Sequence, residues 1–243
     1  MGGSHAAAGD AFLRARYLIV NADDLGASAG INRGVRESCR RGIVTSASLM
    51  VDMPAAEEFA EAPIEASELS VGLHVTLTSE GGELLFAPER CPAELERQLE
   101  CFERLLGRPP THLDSHHNVH FEPELREAFL AVAREREVPL RGFSAARYFA
   151  DFYGQWDDGE THLEQVSVEM LGEMLAREVG PGVTEFGCHP GYAGDGFESS
   201  YLREREAELQ TLCDRAVRGR VDELGIRLVS FAELGEIAAV ERT

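Results

Sequence analysis

The sequence predicts an α/β fold built on a parallel sheet, on three observations. Short apolar runs alternate with longer amphipathic stretches along almost the whole chain. Six or seven such pairs follow one another with no obvious linker. The unusual polar residues recur at one place in the repeat, where an apolar run ends. Alternation of this kind needs crossover connections, which put helices on the faces of a parallel sheet. A closed β/α barrel and an open doubly wound sheet both satisfy the pattern. The first strand-to-helix turn lacks GxGxxG, which weighs against a dinucleotide fold.

The elements follow in order. Tyr17–Asn21 (YLIVN) is a buried-strand signal, and Ile31–Arg41 reads as a helix ended by Gly42. Val44–Met50 is apolar and β-branched, hence a second strand, and Pro54–Ala62 is helical. Ser70–Leu77 (SVGLHVTL) is a third strand. Pro92–Leu106 is a helix with Leu95, Leu99, Phe102, Leu105 and Leu106 on one face. His112–Ser115 is a short strand, Glu122–Glu137 a helix and Val138–Phe143 a strand. Leu163–Val179 is a helix, Val183–Cys188 a strand, Tyr201–Leu224 mostly helix, Ile226–Ser230 a strand and Phe231–Val240 a last helix.

Composition narrows the function. The chain has 243 residues, 44% hydrophobic and 27% charged, with 43 acidic against 23 basic residues and a formal charge of −20. That is the make-up of a globular protein with a sizeable core. No stretch approaches the roughly 20 apolar residues of a membrane span, and so strong a negative charge disfavours nucleic acid. All 23 basic residues are arginine, in line with codon bias in a GC-rich genome or, less readily, with salt adaptation. Without lysine there is no Schiff-base enzyme, pyridoxal-phosphate anchor or P-loop site. Five scattered cysteines without a CxxC pair suit reduced thiols and a cytoplasmic location. Residues 1–15 lack the apolar core of a signal peptide, and Ala6 stands where a myristoylation motif needs Ser or Thr. They read as a disordered extension or cloning remnant ahead of one catalytic domain over 16–243.

Polar residues at the strand ends carry the chemistry. The first strand ends in Asn21-Ala22-Asp23-Asp24, His74 lies in the third, the fourth runs into Asp114-Ser115-His116-His117, and a later strand ends in His189-Pro190. Each piece alone has an ordinary reading: an Asx-turn or helix cap for the aspartates, a hydrogen-bonded core residue for His74, a polar turn for residues 111–120, a turn closure for His189. That cluster holds four of the eight histidines: His112, His116, His117 and His120. In α/β folds the C-terminal edge of the strands collects catalytic groups, and all four pieces fall there. Two imidazoles and one carboxylate make a three-ligand metal site with room for water and substrate. A second carboxylate could take a proton from water, a histidine opposite could protonate a leaving group, and Asp114 could orient a ligand histidine.

These same segments resemble the YdjC-like carbohydrate deacetylases, whose characterised members remove acetyl groups from chitooligosaccharides. The matching motifs are LIVNADDLG with GINRG, GIVTSASLMV, VGLHVTLT, THLDSHHNVHFEPEL and EFGCHPGY, and FADFYG is also similar. The resemblance spans roughly Tyr17 to Leu234. It implies a single β/α barrel-like domain, a distorted TIM-type barrel of about seven parallel strands. It implies a divalent cation, magnesium or zinc, held by His74, His116 and Asp24, with Asp23 as general base and His189 as general acid. The order of the two aspartates follows analogy with NodB-type polysaccharide deacetylases. Asp114, His117 and Asn21 are expected to support the metal residues or meet substrate. The expected partner is a small acetylated sugar, with no nucleic acid, no membrane and a possible homodimer. A hydrolase of a lipid- or nucleotide-linked sugar conjugate and a catalytically weakened carbohydrate-binding protein are the alternatives. Asn118 replaces a third histidine, Leu25 a phenylalanine, and the insert over residues 79–91 is short.

Residues 143–156 hold Phe143, Tyr148, Phe149, Phe152, Tyr153 and Trp156, six of the 18 aromatic residues and among them the only Trp. Aromatic faces of this kind stack on sugars or pack a loop against the domain, and both readings are open. The acidic stretch 157–160 reads as a mobile surface segment.

Overall fold

A computed structural model describes residues 15–62, 64, 69–156 and 159–241. Of the extension expected over residues 1–15, residues 1–14 lie outside the described residues, as does the acidic pair at 157–158, while Ala15 accepts the Gly182 N–H at 2.9 Å. Seven strands form one sheet: β1 (Arg16–Leu25), β2 (Ser46–Leu49), β3 (Ser70–Val75), β4 (Leu113–Ser115), β5 (Ala146–Phe149), β6 (Gly182–Cys188) and β7 (Ile226–Leu228). Their order is β4-β3-β2-β1-β6-β5, with β7 also on β1. Every pairing between them is parallel. The helices are α1 (Ala29–Arg41), α2 (Ala56–Glu61), α3 (Cys91–Leu106), α4 (Pro123–Glu135), α5 (Val168–Glu178), α6 (Leu202–Leu212), α7 (Arg215–Glu223) and α8 (Leu234–Glu241). No helix among the described residues is long and apolar enough to cross a membrane.

The pleat explains how one sheet serves two environments. Leu18, Val20 and Ala22 of β1, Ala47 and Leu49 of β2, Val71, Leu73 and Val75 of β3, and Phe186 and Cys188 of β6 join the large core beneath the helices. The alternate residues point the other way. Near the strand starts these are apolar: Tyr17, Ile19, Ala146 and Val183 pack with Val229, Phe231 and Leu234 in a second cluster. Nearer the strand ends they turn polar: Asn21 and Asp23, Ser48, His74, Asp114, Tyr148 and Glu185. One side chain shows that this face is rolled inward. Arg141 reaches Asp23 on β1, Asp114 on β4 and Glu185 on β6 at once, although β4 and β6 are separated by three strands in sheet order. The sheet is thus the barrel-like α/β architecture expected from sequence.

Local chemistry sets the boundaries. Ser28 caps α1 by accepting the Ile31 N–H at 3.1 Å, and Arg40 and Arg41 sit in the last turn where the helix dipole favours cations. α3 ends on Gly107 at φ 66°, a left-handed cap. Two expectations need correction. The stretch Val138–Phe143 is not a strand: Pro139 has no N–H to donate, Leu140 makes a lone bridge to Leu113, and Gly142 turns away at φ 72°. The strand comes later, at β5, inside the segment read as an aromatic loop. The helix expected over Tyr201–Leu224 is two helices, because Asp214 adopts an extended backbone and caps α7 through the Ala216 N–H at 2.7 Å.

His112 and His120, which share the histidine-rich segment with His116 and His117 but have no role in the expected site, are core residues. His112 is fully buried and stacks on Phe231 with ring centroids 3.9 Å apart. His120 is held by Ser115 at 2.6 Å. Burial pushes both imidazoles down to about 4, so they stay neutral at ordinary pH. The His112 ring lies so close over Gly72 that a Cβ there would meet it at 2.5 Å. Gly72→Ala is therefore expected to destabilise the fold by about 1–3 kcal/mol in urea denaturation, by pushing the ring off Phe231.

Candidate active site

Consecutive strand residues normally face opposite sides, yet Asp23 and Asp24 both line one cleft. A β-bulge is the cause. Between Ala22↔Ala47 and Leu25↔Leu49 the register advances three residues on β1 and two on β2. Asp24 absorbs the extra residue at φ 63°, the left-handed region that Asp tolerates better than most side chains. The ordinary alternative, an Asx-turn or helix cap, is not what these residues do, since Ser28 caps α1.

The cleft has a volume of about 420 Å³ and opens at the C-terminal ends of the strands. On one wall, Asp24 Oδ1 lies 3.3 Å from His74 Nε2 and 3.2 Å from His116 Nδ1. All three residues are buried, and these groups can offer ligand atoms to one ion. Asp114 Oδ1 meets the other nitrogen of His74 at 2.8 Å and so fixes the ring. Arg205 donates to Asp24 Oδ2 at 2.6 Å, leaving Oδ1 without a hydrogen-bond partner. Burial acts to raise the Asp24 carboxyl, but Arg205 and the two histidines outweigh it and hold it well below the carboxylate range. Burial likewise acts to lower the imidazoles, but Asp114 lifts His74 to about 10 and Asp24 lifts His116 to about 9.

Asp23 faces this group. Arg141 donates to both of its oxygens at 2.7 Å. Burial acts to raise its carboxyl, and the guanidinium more than offsets it, so Asp23 stays an anion. Asn21 steadies the arrangement by donating to Asp23 Oδ1 and Ser48 Oγ, each at 2.8 Å, and Ser48 donates to Asp114 at 2.7 Å. His189 Nε2 is 4.0 Å from Asp23 Oδ2. Its backbone N–H donates to Glu208, and its Nδ1 lies 3.8 Å from Glu208 Oε1. His117 packs on His116 and bonds Thr78 at 2.9 Å. His117 and Asn118 are both left-handed, at φ 54° and 53°. Asparagine suits that backbone, and Asn118 reaches Arg141 at 3.5 Å.

Asp23, Asp24, His74, His116 and His189 therefore share one cleft, with Asn21 and Asp114 behind it and His117 at its edge. Arg141, Arg205, Glu185 and Glu208 were not singled out from sequence. A signal existed: Arg141 and Glu185 are single charges in apolar runs, and Arg205 and Glu208 lie on the buried face of α6. Buried charges of this kind need partners.

Fold and site together define a class: a parallel α/β barrel-like protein with a histidine–aspartate centre at the C-terminal rim that could hold a cation. A family model described as "YdjC-like protein" matches residues 17–223, and the chain belongs to that family. A "Carbohydrate deacetylase" from Geobacillus stearothermophilus is 36% identical, over 90% of this chain and 98% of its own length. A "Chitooligosaccharide deacetylase" from Klebsiella pneumoniae (strain 342) is 32% identical, over 90% and 99%. A solved structure from Enterococcus faecalis V583, described as a proposed cellobiose-phosphate cleavage protein, superposes with TM-score 0.74 at 29% identity, over 90% of this chain and 99% of that one.

Removing Arg141 would leave buried carboxylates facing one another. Arg141→Met is expected to destabilise the protein by about 3–5 kcal/mol in denaturant titration, far more than a surface arginine.

Proposed function

We propose that the protein is a metal-dependent hydrolase that removes acetyl groups from N-acetylated sugars and releases acetate. The observation that carries this reading is the convergence of Asp24, His74 and His116 in a cleft that Asp23 and His189 also line. The relatives' names supply the substrate class. A cation fits the donor set because Asp24 Oδ1 is buried between two imidazoles, at 3.3 and 3.2 Å, and takes no hydrogen bond. Two imidazoles and one carboxylate suit zinc or another transition ion better than magnesium, which prefers oxygen ligands. Five free cysteines fit a reducing compartment, the cytoplasm.

When bound, the ion would acidify water and polarise the acetyl carbonyl. Asp23, kept ionised by Arg141, accepts a proton from the attacking water. His189, across the cleft, donates a proton to the departing nitrogen, so that amide and water become acetate and a free amine. Glu208 holds the His189 backbone and so fixes the donor's position. Asp114 and Arg205 fix His74 and Asp24.

Acetate release from N-acetylglucosamine oligomers tests the reading. Complete chelation should abolish it and zinc should restore it, while His116→Ala should cost about a hundredfold or more in kcat/KM. Unchanged release after either treatment sinks the scheme.

Without metal, His74 and His116 hold protons whose affinity is raised above the ordinary 6.5. That stabilisation is complete below pH 6.5 and is lost as the pH rises through about 9 and 10. A cation must displace those protons, so its own stabilisation runs the other way. The rise in melting temperature on adding zinc should be larger at pH 8 than at pH 6.

A further inference from the structure

The catalytic scheme leaves open what holds the sugar. Three large aromatic side chains are notably exposed in the described structure: Phe143, Tyr153 and Trp156. Phe143 packs on Phe121, and Trp156 stacks on His162 at 3.6 Å; neither lines the cleft. Tyr153 does line it and is 41% exposed. Its ring lies parallel to Tyr201, 4.3 Å away at 10°, and stands edge-on to His189 at 5.6 Å. Tyr201 is a rigid backing. It is buried, and its hydroxyl accepts from the Gly154 N–H and donates to Glu208 Oε1, both at 2.6 Å.

On the deacetylase reading, the direction of the substrate follows from the chemistry. The acetyl carbonyl lies toward Asp24, His74 and His116, and the departing nitrogen toward His189. The ring that carries this nitrogen therefore lies on the His189 side, where Tyr153 offers a flat apolar face. The C–H face of a pyranose stacks on such a surface while its hydroxyls stay free for polar partners. Burial pushes the Tyr153 phenol up to about 12, so the ring presents a neutral face to the sugar. Ser199 and Ser200 line the same cleft and supply further hydroxyls.

We propose that Tyr153, backed by Tyr201, is the stacking wall of a subsite for the pyranose ring that bears the scissile acetamide. The proposal rests on the deacetylase reading for its orientation, and its test separates the two. Calorimetric titration of the chelator-treated protein with N,N′-diacetylchitobiose reads the subsite without turnover. Tyr153→Ala and Tyr153→Leu should each weaken binding about tenfold, and Tyr153→Phe should stay within about twofold of the parent. Leucine keeps apolar bulk without a flat face, and unaltered thermal melts guard against misfolding. Unchanged affinity in Tyr153→Ala, full affinity in Tyr153→Leu, or no sugar binding by the parent protein overturns the subsite. In turnover, Tyr153→Ala should lose about tenfold in kcat/KM on the disaccharide and nothing on 4-nitrophenyl acetate, which has no pyranose. Equal losses on both substrates also overturn it. Sugar binding that depends on Tyr153 without acetate release would sink the deacetylase reading, and with it the orientation of the ring, while leaving Tyr153 as a sugar-stacking wall.

Discussion

The interaction on which the rest of the site depends is the burial of Arg141 among carboxylates. Its guanidinium holds Asp23 with two hydrogen bonds at 2.7 Å, lies 3.0 Å from Asp114 and donates to Glu185 at 2.7 Å. These acids come from three strands of the rolled sheet, so one cation ties the inner ends of β1, β4 and β6 together. The balance is incomplete, since one guanidinium meets three acids. Burial drives the Glu185 carboxyl up to about 7, with Arg141 opposing only in part, so the network can shed a charge at Glu185 and keep Asp23 ionised. A planar fork with five donors serves this role in a way an ammonium would not. In a chain whose every basic residue is arginine, the requirement is met by the residue type at hand.

The same interior shows a gradient along the barrel axis. Tyr17 and Ile19 begin β1 on its inner face, and Asn21 and Asp23 continue it. The apolar floor supplies packing, and the polar layer above it supplies a connected hydrogen-bond network through Ser48, Asp114 and His74. A half-satisfied buried network is costly, so each polar residue in this layer constrains the rotamer of the next. The bulge at Asp24 belongs to this constraint. Its left-handed backbone persists because Arg205 on one side and two imidazoles on the other hold its carboxylate.

Much of this was legible in the sequence, and the reasons for the rest are physical. Parallel strands buried on both faces read as plain apolar runs, so β1, β3 and β6 stood out. β5 did not, because Ala146–Phe149 is short, sets the more exposed Arg147 and Tyr148 between buried Ala146 and Phe149, and sits among aromatic loop residues. The proposed metal and proton-transfer groups could be picked out because Asp and His recur where successive apolar runs end. Arg141 and Arg205 escaped because arginine is common on surfaces, and only three-dimensional closure reveals a charge turned inward. The histidine-rich segment divides between site and core. Four histidines in nine residues suggest one cluster, but alternate positions of a strand and its turn face different environments, and His112 and His120 went to the core.

The proposed cation changes the meaning of the protons in this centre. Asp23, Asp24 and Asp114 form an anionic group that two arginines do not fully compensate, and protons on His74 and His116 make up the difference in the metal-free protein. A divalent ion delivers the same charge at the same place while freeing both imidazoles to act as neutral ligands. The exchange is close to neutral for the surrounding network, so the geometry around Arg141 and Arg205 has no reason to rearrange. Preorganisation is then a property of the polypeptide and not of the ion, and Asp114 and Arg205 aim their partners before any cation arrives. The arrangement that steadies the empty fold is the one that would orient reacting groups in the loaded one.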